Sequence, residues 1–299
     1  MSEFRMFYLC DVFGESRYAG NPLGVFRNAS GLSDGEMQRI AREINFSETT
    51  FILADTKNGG GYDVRIFTPA SEVDFAGHPT LGTAHIIRER IIKNPVEEVV
   101  LNLRVGQIRV QFNADGILWM RQIEPTFGRT YSADCIAPVL NLAADDVDGN
   151  YPIEEVSTGL PCIIVPLKSR AALSRVRVDG GKYAALVEST PAKVLFVFCP
   201  QGYGEGQRLG VRAFPVAFGI SEDPATGSGN GCLGAYLTKH KYLGPADVDL
   251  RIGQGYEMGR PSVVHIRSRL QDGRYVIDVG GRVFTIAEGL WSTSPELES

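Results

Sequence analysis

Hydrophobic and polar positions change period several times along the chain, and each change marks an element. Residues 6–12 are apolar-rich and strand-like, Ala19 to Pro22 form a turn, and residues 23–26 read as a second short strand. Ser33 and Glu36 make a capping box. Met37, Ile40, Ala41 and Ile44 then fall at i, i+3, i+4 and i+7, which predicts an amphipathic helix. The polar run Asn45-Phe46-Ser47-Glu48-Thr49-Thr50 leads into the strand Phe51-Ile52-Leu53. A hairpin-like turn at 58–61 precedes a strand at 62–67. His78-Pro79 opens a helix expected to reach about Ile92, with Pro79 suited to a first turn. Strands at 99–103 and 107–112 flank a glycine turn at Gly106.

The second half reads alike. Strands are expected near 155–156, 163–165, 194–198 and 211–214, a helix at 230–239, and strands near 248–251, 262–267 and 275–279. Val64-Arg65-Ile66-Phe67 with Asp74 and Gly77 recurs as Val211-Arg212-Ala213-Phe214 with Asp223 and Gly227, displaced by 147, 149 and 150 residues. A repeat of half the chain length means two similar domains, not a solenoid of short units. The fold class is therefore α+β, with two pseudo-symmetric domains, each a curled, mostly antiparallel sheet around a central helix. Pro125, Gly128 and Pro138 place the boundary, giving an N-terminal domain over 1–125, to which 282–299 returns, and a C-terminal domain over 126–281.

Composition narrows the class. The chain has 299 residues and a net charge of −5, so each half is large enough to bury its own core. Mild acidity without basic clusters argues against nucleic acid or an anionic membrane as partner. No apolar run approaches the ~20 residues of a membrane span. Cys10, Cys135, Cys162, Cys199 and Cys232 are odd in number, scattered and without CxxC spacing. Reduced thiols in a cytoplasmic protein are expected, with no disulfide framework and no metal site. Met1 to Cys10 carries Glu3 and Arg5 and lacks the apolar core of a signal peptide.

Three residues stand out chemically. Glu48 is a lone carboxylate at the entrance of a buried strand, with Phe46, Phe51, Ile52 and Leu53 around it. An apolar wall raises a carboxyl pKa and makes a better proton shuttle; an acid that merely caps the preceding helix is the structural alternative. The corresponding place in the second half, near Pro191 to Lys193, has no acid, so the fold itself does not demand Glu48. His78, between Gly77 and Pro79 at a helix start, is placed to hold a substrate group or to cap its helix. Asp223 opens Asp-Pro-Ala-Thr-Gly-Ser-Gly, either as a turn former or as a carboxylate aimed at a ligand. Ser228 takes His78's place in the repeat, and Gly227, Gly229 and Gly231 expose backbone N–H groups suited to a carboxylate. No Walker A or dinucleotide fingerprint is present.

Gly20-Asn21-Pro22-Leu23, Asn45 to Phe51, Phe67-Thr68-Pro69, Phe75 to Gly82, Glu222 to Ser228 and Gln254-Gly255 with Gly259-Arg260-Pro261-Ser262 together resemble the phenazine-biosynthesis isomerase-like (PhzF-like) family. The likeness covers the whole chain in order. It implies the diaminopimelate-epimerase fold, with the site between the two domains, and a homodimer. It further implies cofactor-free isomerisation of a small carboxylic acid such as trans-2,3-dihydro-3-hydroxyanthranilate. Glu48 matches the family's catalytic glutamate, His78 and Asp223 match its other catalytic-site positions, and Gly77 and Ser228 match substrate contacts, beside Gly227. Related racemases use one cysteine from each half; those positions here are Ala76 and Thr226, so two-thiol chemistry is disfavoured. An epimerase using Glu48 and Asp223, or a non-catalytic binding protein, are the alternatives.

Overall fold

A computed structural model describes residues 3–244 and 247–293. The chain divides into two units: unit 1 comprises the residues up to Met120 and again from Arg282, and unit 2 runs Arg121–Gly281.

Unit 1 contains β1 (Glu3–Val12), β2 (Asn21–Arg27), α1 (Asp34–Ile44), β3 (Thr49–Ile52), β4 (Tyr62–Phe67), β5 (Glu72–Val73), α2 (Gly77–Ile86), β6 (Glu98–Leu103), β7 (Gly106–Phe112) and β8 (Leu118–Arg121, whose last residue opens unit 2). The elements of unit 2 are β9 (Thr126–Tyr131), α3 (Ala133–Ile136), β10 (Ile153–Ser157), β11 (Pro161–Pro166), α4 (Arg170–Arg175), α5 (Gly180–Glu188), β12 (Val194–Cys199), β13 (Gln207–Phe214), α6 (Gly227–Lys239), β14 (Val248–Gln254), β15 (Ser262–Gln271) and β16 (Arg274–Gly281). The last strand, β17 (Val283–Thr293), belongs to unit 1.

One plan is used twice. In unit 1 the strands run β17-β1-β2-β3-β4-β6-β7-β8, with parallel pairs only at β2–β3 and β4–β6. In unit 2 they run β9-β10-β11-β12-β13-β14-β15-β16, with parallel pairs only at β11–β12 and β13–β14. A parallel pair needs a crossover, and its helix must cover the sheet. The β4–β6 and β13–β14 crossovers are made by α2 and α6. The strands curl around these two helices: α2 touches β1, β2, β3, β6, β7 and β17, and α6 touches β10, β11, β14, β15 and β16. Every residue of α2 but His85 is buried, as is every residue of α6 from Gly227 to Leu237. A helix buried on all sides has no polar stripe, which is why neither shows the amphipathic period of α1. The other face of unit 1 is covered by α1, whose Met37, Ile40 and Ala41 pack on Phe26, Phe51 and Phe67.

Several boundaries differ from the sequence pattern. The pattern starts α6 at Asn230, but the helix begins at Gly227, because burial outweighs the low helix propensity of glycine. The helix through His78 is regular only to Ile86 and continues as a π-helix over Ile87–Ile92. Within 126–188 the pattern predicts neither β9 nor α3, α4 and α5. β9 is mostly exposed and is a strand through its pairing with β10. The register also moves the repeat. Val73 pairs with Ile66, and Asp223 bridges to Ala213, so Asp223 is the counterpart of Val73, not of Asp74.

Candidate active site

Unit 1 brings Glu48 and His78 together. Asn45 ends α1 in the left-handed conformation at φ 57°, a geometry asparagine tolerates well. The chain then turns, and Glu48 arrives one residue before β3, whose four residues are all buried. Thr49 lies opposite Phe67, and in unit 2 Leu195 lies opposite Phe214, which makes Val194 the counterpart of Glu48. The carboxylate is thus an addition to the shared plan. Its Oε2 is 3.5 Å from His78 Nε2, with side-chain exposures of 16% and 4%.

His78 is the second residue of α2, and Asn21 holds its far side: Asn21 Nδ2 lies 3.3 Å from Nδ1. Asn21 is placed by the turn before it. Gly20 has φ 81°, and a Cβ there would lie 2.3 Å from Val12 O, so only glycine fits. With the amide nitrogen donating, Nδ1 is the acceptor and the ring proton sits on Nε2, facing Glu48. Burial lowers the His78 pKa to about 3. The ring is therefore neutral, and its Nε2 faces Glu48 Oε2 at 3.5 Å.

Unit 2 gathers Asp223, Gly227 and Ser228 at the start of α6. Thr226 is the N-cap but makes no side-chain cap; its hydroxyl bonds Asp223 Oδ2 at 2.5 Å. Gln254, on β14, donates to Asp223 O at 2.9 Å and to Thr226 Oγ1 at 3.0 Å, and accepts from Thr226 N at 3.2 Å. The first intrahelical bond comes from Asn230 N, so the N–H groups of Gly227, Ser228 and Gly229 point out of the helix end. Glycine at 229 is a packing demand, since a Cβ would lie 2.3 Å from Phe196 Cε2. The racemase-cysteine positions named from sequence, Ala76 and Thr226, are the N-caps of α2 and α6.

Both units anchor the approach to these helices in the same way. Arg65 bonds both oxygens of Glu72 at 2.8 Å and lies 5.1 Å from the Phe67 ring centre. Arg212 bonds those of Glu222 at 2.8 and 2.7 Å and lies 5.0 Å from the Phe214 ring centre. Bidentate pairing fixes geometry as well as charge. The second clamp ends one residue before Asp223.

Sequence reasoning assigns no role to Asn21, Thr226 or Gln254. The signal was present in Gly20-Asn21-Pro22 and Gln254-Gly255, but a neutral side chain shows its part only through its neighbours. His85 bonds Thr285 at 3.0 Å and His240 bonds Glu154 at 2.7 Å, both away from these groups. All five cysteines are free thiols. Among the described residues no cluster of three or more metal-ligating side chains occurs, and no helix is long and apolar enough to cross a membrane.

Each unit thus wraps its strands around one buried helix, with polar groups at the helix start. A sequence profile of phenazine biosynthesis-like proteins matches residues 10–289, and the chain belongs to that family. It is 36% identical to a trans-2,3-dihydro-3-hydroxyanthranilate isomerase of Pseudomonas aeruginosa, over 95% of this chain and 98% of the relative. An uncharacterized isomerase of Clostridium acetobutylicum is 34% identical over 88% and 89% of the two chains. The crystal structure of a PhzF-family phenazine biosynthesis protein from Bacillus anthracis superimposes with a TM-score of 0.88 at 27% identity, covering 97% of this chain and 99% of that one. A hydroxyproline epimerase from Agrobacterium vitis, 10% identical with a TM-score of 0.61, shares the fold. The chain is an isomerase.

Proposed function

We propose that this isomerase moves a proton between two carbons of a small cyclic or unsaturated amino-carboxylic acid, with Glu48 as the proton carrier. The observation that carries the reading is the line Asn21–His78–Glu48. A histidine whose pKa is lowered to about 3 does not accept a proton near neutrality, so His78 orients and Glu48 carries. The Nε2–H steadies the Glu48 carboxylate before abstraction and releases it as the substrate proton arrives. Glu48 then returns the proton to the second carbon, and the substrate's conjugation holds the charge between the two steps. The N–H groups of Gly227 and Ser228 at the start of α6 suit a carboxylate, and Asp223 suits an amine or hydroxyl. Gly77 offers a further N–H from the start of α2. No step of this scheme calls on a cofactor or a metal ion.

The first substrate to test is trans-2,3-dihydro-3-hydroxyanthranilate, the compound in the relative's name. Turnover by the wild-type chain and its loss in Glu48→Gln, with binding retained, is the expected result. Wild-type rates in the variant would remove Glu48 from the role.

A further inference from the structure

We propose that Thr226 and Gln254 are positioning residues that keep Asp223 ionised and aimed, which rests on the reading that Asp223 takes the substrate's amine or hydroxyl. Gln254 is fully buried, and its partners leave one amide orientation. Asp223 O can only accept, so Nε2 faces it at 2.9 Å; Thr226 N can only donate, so Oε1 faces it at 3.2 Å. Asn230 Nδ2 donates to the same Oε1 at 3.0 Å and to Thr226 O at 3.0 Å, which locks the amide from the helix side. Nε2 also donates to Thr226 Oγ1 at 3.0 Å. That leaves the single hydroxyl proton of Thr226 for Asp223 Oδ2, 2.5 Å away. The relay therefore runs one way, from Gln254 through Thr226 to Asp223.

A donor fixed on a carboxylate oxygen favours the ionised form. Glu222, its neighbour on the loop, is paired with Arg212 of β13 through two hydrogen bonds. Asp223 is thereby an acceptor for a substrate N–H or O–H and not the acid of a two-base epimerase. Thr226 thus occupies a racemase cysteine position with a group that orients a neighbour and carries no proton itself.

The test is a carbon-13 titration of the full chain labelled at aspartate carboxyls, with Asp223 assigned by the signal lost in Asp223→Asn. Thr226→Val keeps the volume and removes the donor, and should raise the Asp223 midpoint by about one pH unit or more, a tenfold gain in proton affinity. Thr226→Ser should restore the wild-type midpoint. Thr226→Cys, a weaker donor, should fall between, and it carries the test if the valine variant does not fold. A midpoint unchanged in Thr226→Val, or in Thr226→Cys where that variant stands in, overturns the proposal. Kinetics on trans-2,3-dihydro-3-hydroxyanthranilate separate it from the functional reading. KM should rise in Thr226→Val, with its acid limb moved up in pH, more than kcat falls. A shifted Asp223 midpoint in a wild-type chain that turns over none of this compound supports the positioning and overturns the substrate.

Discussion

Replacing Asn21 with aspartate should turn His78 from a neutral donor into a charged one. The amide nitrogen of Asn21 stands 3.3 Å from His78 Nδ1, and the variant puts a carboxylate oxygen there. At an effective dielectric of 20 the attraction between carboxylate and imidazolium at that distance is ~5 kcal/mol, equivalent to roughly 3–4 pH units. Desolvation of the new carboxylate offsets part of it. The His78 pKa, held at about 3 by burial, should therefore rise towards 6 to 7, roughly 3 units up. Glu48 would then face a cation 3.5 Å away, which lowers its basicity and slows abstraction. Nitrogen-15 imidazole spectra read the protonation state directly, with His78 distinguished from the other three histidines by its loss in His78→Asn. Wild type should show His78 neutral with Nε2 protonated from pH 4.5 to 8, while the variant should titrate within that range, with kcat falling at least about tenfold. A His78 that still fails to titrate in Asn21→Asp, or one that carries its proton on Nδ1 in the wild type, refutes the reasoning.

His78 and His85, with pKa values lowered by burial to about 3 and about 4, make stability fall with acidity. The unfolded chain takes up their protons below the ordinary histidine value near 6.5 and the folded chain does not, so stability should drop from pH 6.5 to 5 by up to ~1.4 kcal/mol per pH unit for each. Urea midpoints measured across that window check this; His85→Asn should lessen the slope, and equal midpoints at both ends would contradict it. Gly229→Ala should cost about 1–3 kcal/mol, since its Cβ would press 2.3 and 2.4 Å from two carbons of the buried Phe196 ring. Gly234→Ala on the same helix meets nothing closer than 3.4 Å and should be neutral or stabilising by up to ~1 kcal/mol; calorimetric melting temperatures that fail to rank the pair in this order would contradict the packing argument.

The local signals served well where a residue's neighbours in sequence are also its neighbours in space. The capping box of Ser33 and Glu36, the face of α1 and the turn at Asn58–Gly61 are all present. The likeness to the family stood on strings such as Phe75 to Gly82 and Glu222 to Ser228, which are the loops and starts of α2 and α6. What the sequence hid is tertiary. The stretch forming β9 is polar and gains its strand from β10; α6 begins on glycines that no propensity favours; and Asp223 shifts by one place once the Ala213 bridge sets the register. Asn21 and Gln254 lie 57 and 31 residues from the partners they hold, so their part is visible only in the fold.

The central claim, a single carboxylate moving a proton between two different carbons, is tested most directly by turning over trans-2,3-dihydro-3-hydroxyanthranilate in deuterium oxide and locating the label by NMR. The account predicts that deuterium appears at no carbon but the one that gains a proton, to an extent set by how far the Glu48 carboxyl exchanges with solvent between the two steps, with none at the carbon that loses a proton and no conversion or exchange in Glu48→Gln. Deuterium returned to the carbon that lost its proton, as an epimerase would leave it, or exchange at the wild-type rate in Glu48→Gln, would contradict the account.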